Sequence, residues 1–199
     1  APEMIITLPS DENLADDGMG AQFIGMELTS TDEIWRFRAK NGYADAEPIA
    51  VDTTGDGITD RVCWVTWYST GFGTTDRDGL TGCHDITIDP PFREWSRVLQ
   101  SGSGNDNEGE VAISAPIVVD LDGEDEPDLL VAYGERLFAF DGNTGTSADL
   151  GVGWSSPIDL PHRTWASPAI ADLDGDGYLD ILIGDMLISE AMADISPLP

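Results

Sequence analysis

Basic residues are scarce in this chain, and their scarcity limits what it can bind. The sequence has 199 residues, with 9 Lys and Arg against 38 Asp and Glu, and a formal net charge of −29 at pH 7. Lys40 is the only lysine. Because such a chain repels phosphate groups, we expect it to bind neither nucleic acid nor an anionic membrane surface. The excess acid must be solvated, screened by salt or neutralised by cations, and the composition leaves these alternatives open.

Long apolar runs, cysteines and histidines are also few. The most apolar runs are about six residues, far short of the ~20 that a membrane-spanning helix requires, so we expect no membrane insertion. Two cysteines, Cys63 and Cys83, and two histidines do not indicate a zinc site or a disulfide scaffold. The chain begins at Ala1 without Met. We interpret this as a processed start or an excised segment and expect the sequence to be part of a larger chain.

One pattern occurs three times along the chain. Each copy has a proline, a short apolar run, an aspartate, a Gly/Asp-rich stretch that ends in aspartate, and a second apolar run. The copies are residues 47–61, 115–129 and 167–181. They recur at intervals of about 50–70 residues, a spacing that favours propellers and solenoids.

The apolar runs predict the fold class. Residues 117–119 and 129–132 have no polar alternation, which predicts strands that are buried on both faces. Further short strands bring each of the first two repeats to four, as in the blades of a β-propeller. We therefore predict an all-β fold: a β-propeller, as a complete small ring or a partial ring, of four-stranded antiparallel blades with calcium loops. The partial ring is the favoured alternative.

The repeats divide the chain into four predicted parts. Residues 1–44 contain N-terminal strands that belong to a blade, and residues 45–110 form repeat 1 with a long hairpin loop and a connector. Residues 111–164 form repeat 2, and residues 165–199 form an incomplete repeat 3 with two strands.

The acidic stretches have the donor pattern of calcium loops. Alternate positions of a tight loop converge on one point, and hard oxygen ligands suit Ca²⁺. Counting from the first aspartate, we predict ligands at positions 1, 3, 5 and 9, with position 7 contributing its carbonyl. In chain order these residues are Asp52, Thr54, Asp56, Ile58 and Asp60; Asp120, Asp122, Glu124, Glu126 and Asp128; Asp172, Asp174, Asp176, Tyr178 and Asp180.

The three loops are unequal, and the alternative for each is a solvated turn without metal. The third is complete, the first has Thr54 in place of a carboxylate at position 3, and the second has Asp125 in place of the usual glycine and also carries Pro127. An EF-hand does not fit, because it requires a glutamate at position 12 and flanking helices.

Residues 167–180, which read SPAIADLDGDGYLD, resemble the FG-GAP/VCBS repeats of integrin α-subunit propellers and of many secreted microbial proteins. The resemblance covers about residues 45–190 and is specific at the three loops. It implies a calcium-braced propeller, usually extracellular and often engaged in adhesion or in glycan and protein binding. It does not imply one activity.

The two cysteines predict a crosslink. A hairpin centred near Gly73 would place Cys63 opposite Cys83, so we predict a cross-strand disulfide, with two buried free thiols as the alternative. A disulfide would agree with an oxidising, extracellular compartment.

We predict that the protein is not an enzyme but an extracellular or cell-surface binding module for a glycan or protein ligand. Trp154 and Trp165 are the better candidates for contact with a sugar, whereas Trp64 and Trp67 are predicted to pack within a blade. His84 lies beside Cys83 and Asp85, but adjacent residues of a strand face opposite sides, so we expect it to be structural.

Two alternatives stay open. A calcium-dependent polysaccharide lyase would need a basic or metal-assisted site to abstract a proton beside a uronate, and Arg136 and Arg163 are the candidate basic residues. A purely structural spacer of a larger surface protein would bind no ligand.

Overall fold

Strands and turns make up the part of the chain that the structure describes. The computed structural model describes residues 3–8, 22–30, 32–39, 46–67, 79–100, 114–121, 126–147, 156–161, 163–173, 175, 178–184 and 190–197. These residues contain no helix, which confirms the predicted all-β class. Accordingly, none of them belongs to a helix that could span a membrane.

The described residues form short strands with the following bounds: β1 (Glu3–Leu8), β2 (Gln22–Glu27), β3 (Glu33–Arg38), β4 (Ile49–Val51), β5 (Arg61–Trp67), β6 (Gly79–Asp85), β7 (Phe92–Leu99), β8 (Ile117–Val119), β9 (Asp128–Tyr133), β10 (Arg136–Asp141), β11 (Ile158–Asp159), β12 (Ala169–Ala171), β13 (Tyr178–Gly184) and β14 (Glu190–Pro197).

The strands form four antiparallel sheets, each built from strands that are consecutive in the chain. Sheet 1 contains β1 to β3, sheet 2 contains β4 to β7, sheet 3 contains β8 to β11, and sheet 4 contains β12 to β14. Sheets 2 and 3 therefore have the predicted four-stranded antiparallel order. The prediction of only two strands in the third repeat is wrong, because β14 pairs along β13. Its sequence, EAMADISP, has a single β-branched residue and no aromatic one, and it consists mostly of Ala, Glu, Asp and Pro, which are depleted in strands, so it lacked a strand signal.

Neighbouring sheets pack face to face through apolar side chains. Phe23, Trp35 and Phe37 of sheet 1 form one buried cluster with Val62 and Trp64 of sheet 2. The rings of Phe23 and Phe37 lie 5.1 Å apart and those of Phe23 and Trp64 lie 6.2 Å apart. Sheets 1 and 2 are therefore joined by a largely aromatic core.

The central strand β9 contributes to two cores. All of its residues are buried. Leu129, Val131 and Tyr133 join a cluster with sheet 2, whereas Leu130 and Ala132 join a cluster with sheet 4. Because successive residues of a strand face opposite sides, this division follows directly from the alternation along the strand. It confirms the prediction that this strand is buried on both faces, and it places sheet 3 between sheets 2 and 4.

A tight turn at 141–145 fixes sheet 3 to sheet 2. The indole Nε1 of Trp95 in β7 donates a hydrogen bond to the carbonyl of Gly142 at 2.9 Å. Gly145 has a φ of +63° and lies so close to the Trp95 ring that a Cβ atom would come within 2.4 Å of it. Glycine is therefore required there both by its backbone conformation and by the contact.

The two cysteines lie opposite each other on the central strands of sheet 2. Cys63 of β5 pairs in register with Cys83 of β6, and the two form a disulfide. Both are buried in the core that sheet 2 shares with sheet 3. The crosslink spans a sequence separation of 20 residues, and the intervening residues 68–78 lie outside the described part of the chain.

His84 is a structural residue of the interface between sheets 1 and 2. It is 4% exposed, and its Nδ1 accepts a hydrogen bond from Trp64 Nε1 at 2.9 Å. Its ring stacks on Phe37 with centroids 3.8 Å apart. Burial, together with the nearby Arg93, lowers the pKa of His84 to about 4. The neutral imidazole is therefore the form that this interface accommodates.

Protonation of His84 should make the stability of the fold depend on pH. Its pKa is about 4 in the folded chain against an ordinary value of 6.5. The neutral ring therefore contributes its full stabilisation to the fold above pH 6.5. That stabilisation is lost as the pH falls from 6.5 to about 4, because only the unfolded chain takes up the proton in that range. We expect a loss on the order of 3 kcal/mol in the free energy of unfolding.

The matched variant is His84→Gln, whose amide oxygen can accept the Trp64 N–H but does not titrate. Urea unfolding of both proteins at several values between pH 7 and pH 4 separates this contribution from that of the carboxylates, which both share. Parallel pH profiles for the two proteins would contradict the assignment.

Candidate functional site

The three acidic stretches occupy equivalent places in sheets 2, 3 and 4. Each connects the short first strand of its sheet to the longer second strand. Loop 1 comprises residues 52–60 between β4 and β5, loop 2 comprises 120–128 between β8 and β9, and loop 3 comprises 172–180 between β12 and β13. Because β4 and β8 contact each other, loops 1 and 2 follow neighbouring strand ends.

The carboxylate at position 9 closes each loop onto the backbone at position 2. Asp60 accepts the N–H of Thr53 at 3.0 Å. Asp128 accepts the N–H of Leu121 at 2.9 Å, and Asp180 accepts the N–H of Leu173 at 2.7 Å. We call this contact the loop latch.

Burial strengthens the case that the loop latch is structural. Asp128 is 4% exposed and Asp180 is 2% exposed. A buried carboxylate without hydrogen-bond donors would be costly, and the N–H at position 2 is a donor that an unlatched loop would leave unpaired. The acidic pattern of the sequence predicts these aspartates as metal ligands. The structure gives each of them a second role, which is to join the two ends of its loop.

The carboxylate at position 1 organises the first half of the loop. Asp52 accepts the N–H of Gly55 at 2.8 Å and that of Gly57 at 2.6 Å. These hydrogen bonds, that from Gly57 first, lower the pKa of Asp52. In loop 3, Asp172 accepts the N–H of Gly175 at 2.7 Å. Gly55, Gly57 and Gly175 all have a positive φ, of +73°, +84° and +81°, which explains why glycine recurs there.

Loop 1 is described completely, and its own donors engage all three of its carboxylates. The hydroxyl of Thr53 donates to Asp60 at 2.7 Å, and that of Thr54 donates to Asp52 at 3.1 Å. Asp56 accepts the N–H of Ile58 at 2.8 Å. Among the described residues, no three acidic, histidine or cysteine side chains gather as a metal site. The carboxylates of loop 1 are thus held by hydrogen bonds from within the loop itself.

Loops 2 and 3 are described in part. Asp120, Glu126 and Asp128 lie in the described part of loop 2, and Asp172, Asp180 and the backbone of Tyr178 in that of loop 3. The other predicted ligands of these two loops, Asp122, Glu124, Asp174 and Asp176, lie outside the described residues. Unlike loop 1, both loops have a carboxylic acid at positions 1, 3, 5 and 9. This donor set fits a hard cation such as Ca²⁺.

A series of polar contacts connects Arg61, the residue after loop 1, with Glu126 of loop 2. Arg61, which follows loop 1, forms an ion pair of 2.5 Å with Glu94 and also donates to Asn143 Oδ1. The amide of Asn143 donates to Glu126, at position 7 of loop 2, at 2.8 Å. Burial raises the pKa of Glu94, and the adjacent Arg61 opposes that change. The side chain of Glu126 is therefore engaged by the turn at 141–145.

The structure distinguishes among the predicted tryptophans. Trp64 is 1% exposed and packs in the core, as expected. Trp165 is 41% exposed in the connection between sheets 3 and 4, so it is accessible to a ligand. Trp154 and the side chain of Trp67 lie outside the described residues.

The two arginines considered for a lyase both have interaction partners. Arg136 is paired with Asp159 at 2.9 Å, and Arg163 also has an interaction partner.

Two residues of the loops' surroundings were not predicted from the sequence. They are Thr53, whose hydroxyl reinforces the latch, and Asn143, which reaches Glu126. Thr53 did carry a signal, because leucine stands at position 2 of the other two loops. Asn143 carried none, because it lies in a turn far from loop 1 in sequence.

Comparison with known proteins finds a family match for one part of the chain. Residues 120–183, which contain loops 2 and 3, match the family model of the FG-GAP-like repeat. The predicted resemblance to FG-GAP repeats is therefore confirmed for this region. No curated protein sequence matches the chain.

Among solved structures, the chain is similar to the crystal structure of rhamnogalacturonan lyase YesW, with 16% sequence identity and a TM-score of 0.49. The match covers 94% of this chain and 39% of that one. The chain thus spans well under half the length of the lyase.

Proposed function

We propose that the chain is a calcium-binding module of the β-propeller type in an extracellular or cell-surface protein, and that it binds a glycan or protein ligand. The observation that carries the proposal is the FG-GAP-like repeat at 120–183, in which two consecutive sheets present equivalent acidic loops. FG-GAP repeats typically occur in extracellular proteins, and the Cys63–Cys83 disulfide is compatible with that location.

The sheet arrangement supports a propeller. Consecutive antiparallel sheets pack face to face in chain order, and each of sheets 2, 3 and 4 begins with a three-residue strand followed by an acidic loop. Contact between β4 and β8 brings the first strands of sheets 2 and 3 together. Blades arranged around a propeller axis have this relation, with the first strand of each blade innermost.

Charge supports calcium in loops 2 and 3. The chain carries a formal net charge of −29, and each of these loops concentrates at least four carboxylates within nine positions. Carboxylates held this close repel one another or take up protons unless a cation neutralises them. Calcium accepts six to eight oxygen ligands in flexible geometry, so it tolerates the different sequences of the two loops. When bound, the ion would supply local rigidity and positive charge.

A binding role is favoured over the lyase alternative. Of the two arginines that could serve a lyase, Arg136 already pairs with Asp159, which occupies its guanidinium Nε. Trp165, by contrast, offers an exposed aromatic surface within the connection between sheets 3 and 4. Aromatic rings on a rigid scaffold suit contact with a sugar face or with an apolar protein side chain.

Calcium should stabilise the native chain. At a hundredfold excess over Kd, each occupied site adds about 2.7 kcal/mol, which corresponds to a rise of about 5–10 °C in Tm for a chain of this size. Thermal unfolding of metal-stripped protein during Ca²⁺ titration measures this, with Mg²⁺ at equal ionic strength expected to act weakly. Asp172→Asn should reduce the rise, because it removes a charge but keeps an acceptor for Gly175.

The matched control is Asp159→Asn, which removes one charge at a side chain that is 80% exposed and lies outside the loops. It should leave the calcium response unchanged. Equal Tm values with and without Ca²⁺ would overturn the calcium proposal.

Ligand binding is tested separately with calcium-loaded protein. We expect at least one glycan or protein in a broad immobilised panel to be retained, and Trp165→Ala to weaken that binding without lowering Tm. Incubation with acidic polysaccharides should produce no new ultraviolet absorbance from eliminative cleavage. Its appearance would favour the lyase, whereas an empty panel would favour the structural spacer.

A further inference from the structure

Loop 1 differs from the other two loops at positions 2 and 3. Thr53 and Thr54 stand there, whereas loop 2 has Leu121 and Asp122, and loop 3 has Leu173 and Asp174. The exchange removes one carboxylate and adds two hydroxyl groups. It therefore changes both the charge of the loop and its supply of hydrogen-bond donors.

Both hydroxyls donate to carboxylates that would otherwise be calcium ligands. Thr53 Oγ1 donates to Asp60 Oδ2 at 2.7 Å, beside the backbone N–H of the same residue at 3.0 Å. Thr54 Oγ1 and the Thr54 N–H both donate to Asp52 Oδ1 at 3.1 Å. A leucine at position 2 offers only its N–H, and an aspartate at position 3 offers a further negative charge instead of a donor.

A protein cation also follows loop 1 directly. Position 10 is Arg61 in loop 1, whereas it is Leu129 after loop 2 and Ile181 after loop 3. The guanidinium is held in place by Glu94 and Asn143. Because Glu94 neutralises this charge, Arg61 distinguishes loop 1 from the other two loops by its hydrogen bonds rather than by a net positive charge.

We infer that loop 1 is a cation-independent member of the repeat, in which the hydroxyls of Thr53 and Thr54 take over the role that a cation has in loops 2 and 3. The inference rests on the proposed calcium binding of those two loops. Removal of calcium therefore leaves the β4–β5 connection closed and affects only loops 2 and 3, in the β8–β9 and β12–β13 connections.

The first test exchanges the two loop sequences. Isothermal titration of metal-stripped protein with Ca²⁺ should show one more site per chain in the double variant Thr53→Leu/Thr54→Asp than in the wild type. The reverse exchange in loop 3, Leu173→Thr/Asp174→Thr, should remove one site. Asp52→Asn should leave the number of sites in the wild type unchanged. Loss of a site in Asp52→Asn would show that loop 1 binds calcium and would overturn the inference.

The second test needs no calcium. In EDTA, Thr53→Val should lower Tm by about 2–4 °C, since it removes a hydrogen bond of the metal-free loop. The control is Thr29→Val, whose hydroxyl donates to Glu27 at an exposed turn and whose loss should shift Tm by less than about 1 °C. Equal Tm changes in the two variants would overturn the inference.

The two tests separate the inference from the proposed function. If no form of the protein binds Ca²⁺, the proposed function fails, while a selective Tm loss in Thr53→Val still supports the hydroxyl-closed loop. If the wild type binds Ca²⁺ and Asp52→Asn loses a site, the proposed function stands and the inference fails.

Discussion

The hydrogen bond between the position 9 carboxylate and the position 2 amide is the contact on which the acidic loops depend. It joins the ends of a turn whose preceding strand has only three residues. Asp60, Asp128 and Asp180 make it in three successive sheets. With both ends of the loop joined, the remaining carboxylates are confined to a short segment between them. Their mutual repulsion then has to be relieved locally, by donors of the loop itself or by a cation.

The stacking of the sheets explains why these loops can serve a common function. Because β9 buries both of its faces, sheet 3 cannot shift relative to sheet 2 or sheet 4 without breaking an apolar core. The turn at 141–145, held by Trp95, adds a polar contact at the same interface. Loops that follow equivalent strands are therefore displayed in fixed relative positions. A rigid scaffold of this kind presents connecting segments, such as that containing Trp165, for binding.

Much of the fold could be predicted from the sequence, because it depends on periodicity. The three repeats, the antiparallel strands and the double-sided burial of 129–132 all follow from the pattern of apolar residues. The missed features depend on side-chain direction or on backbone pairing. Nothing in the pattern showed that Asp180 turns back to Leu173, or that Asn143 reaches Glu126 from another hairpin. Strand β14 was missed because its sequence has a single β-branched residue and no aromatic one, although its backbone pairs along β13.

Amide hydrogen exchange in calcium-free buffer tests the latch most directly, since it reports on the three position 2 amides individually. If the position 9 carboxylates hold the loops closed, the N–H groups of Thr53, Leu121 and Leu173 should exchange at least about tenfold more slowly than in an unfolded peptide. Protection of Thr53 should persist unchanged when Ca²⁺ is added, because its loop is closed by its own donors. Exchange of all three amides at the rates of an unfolded chain would contradict the account.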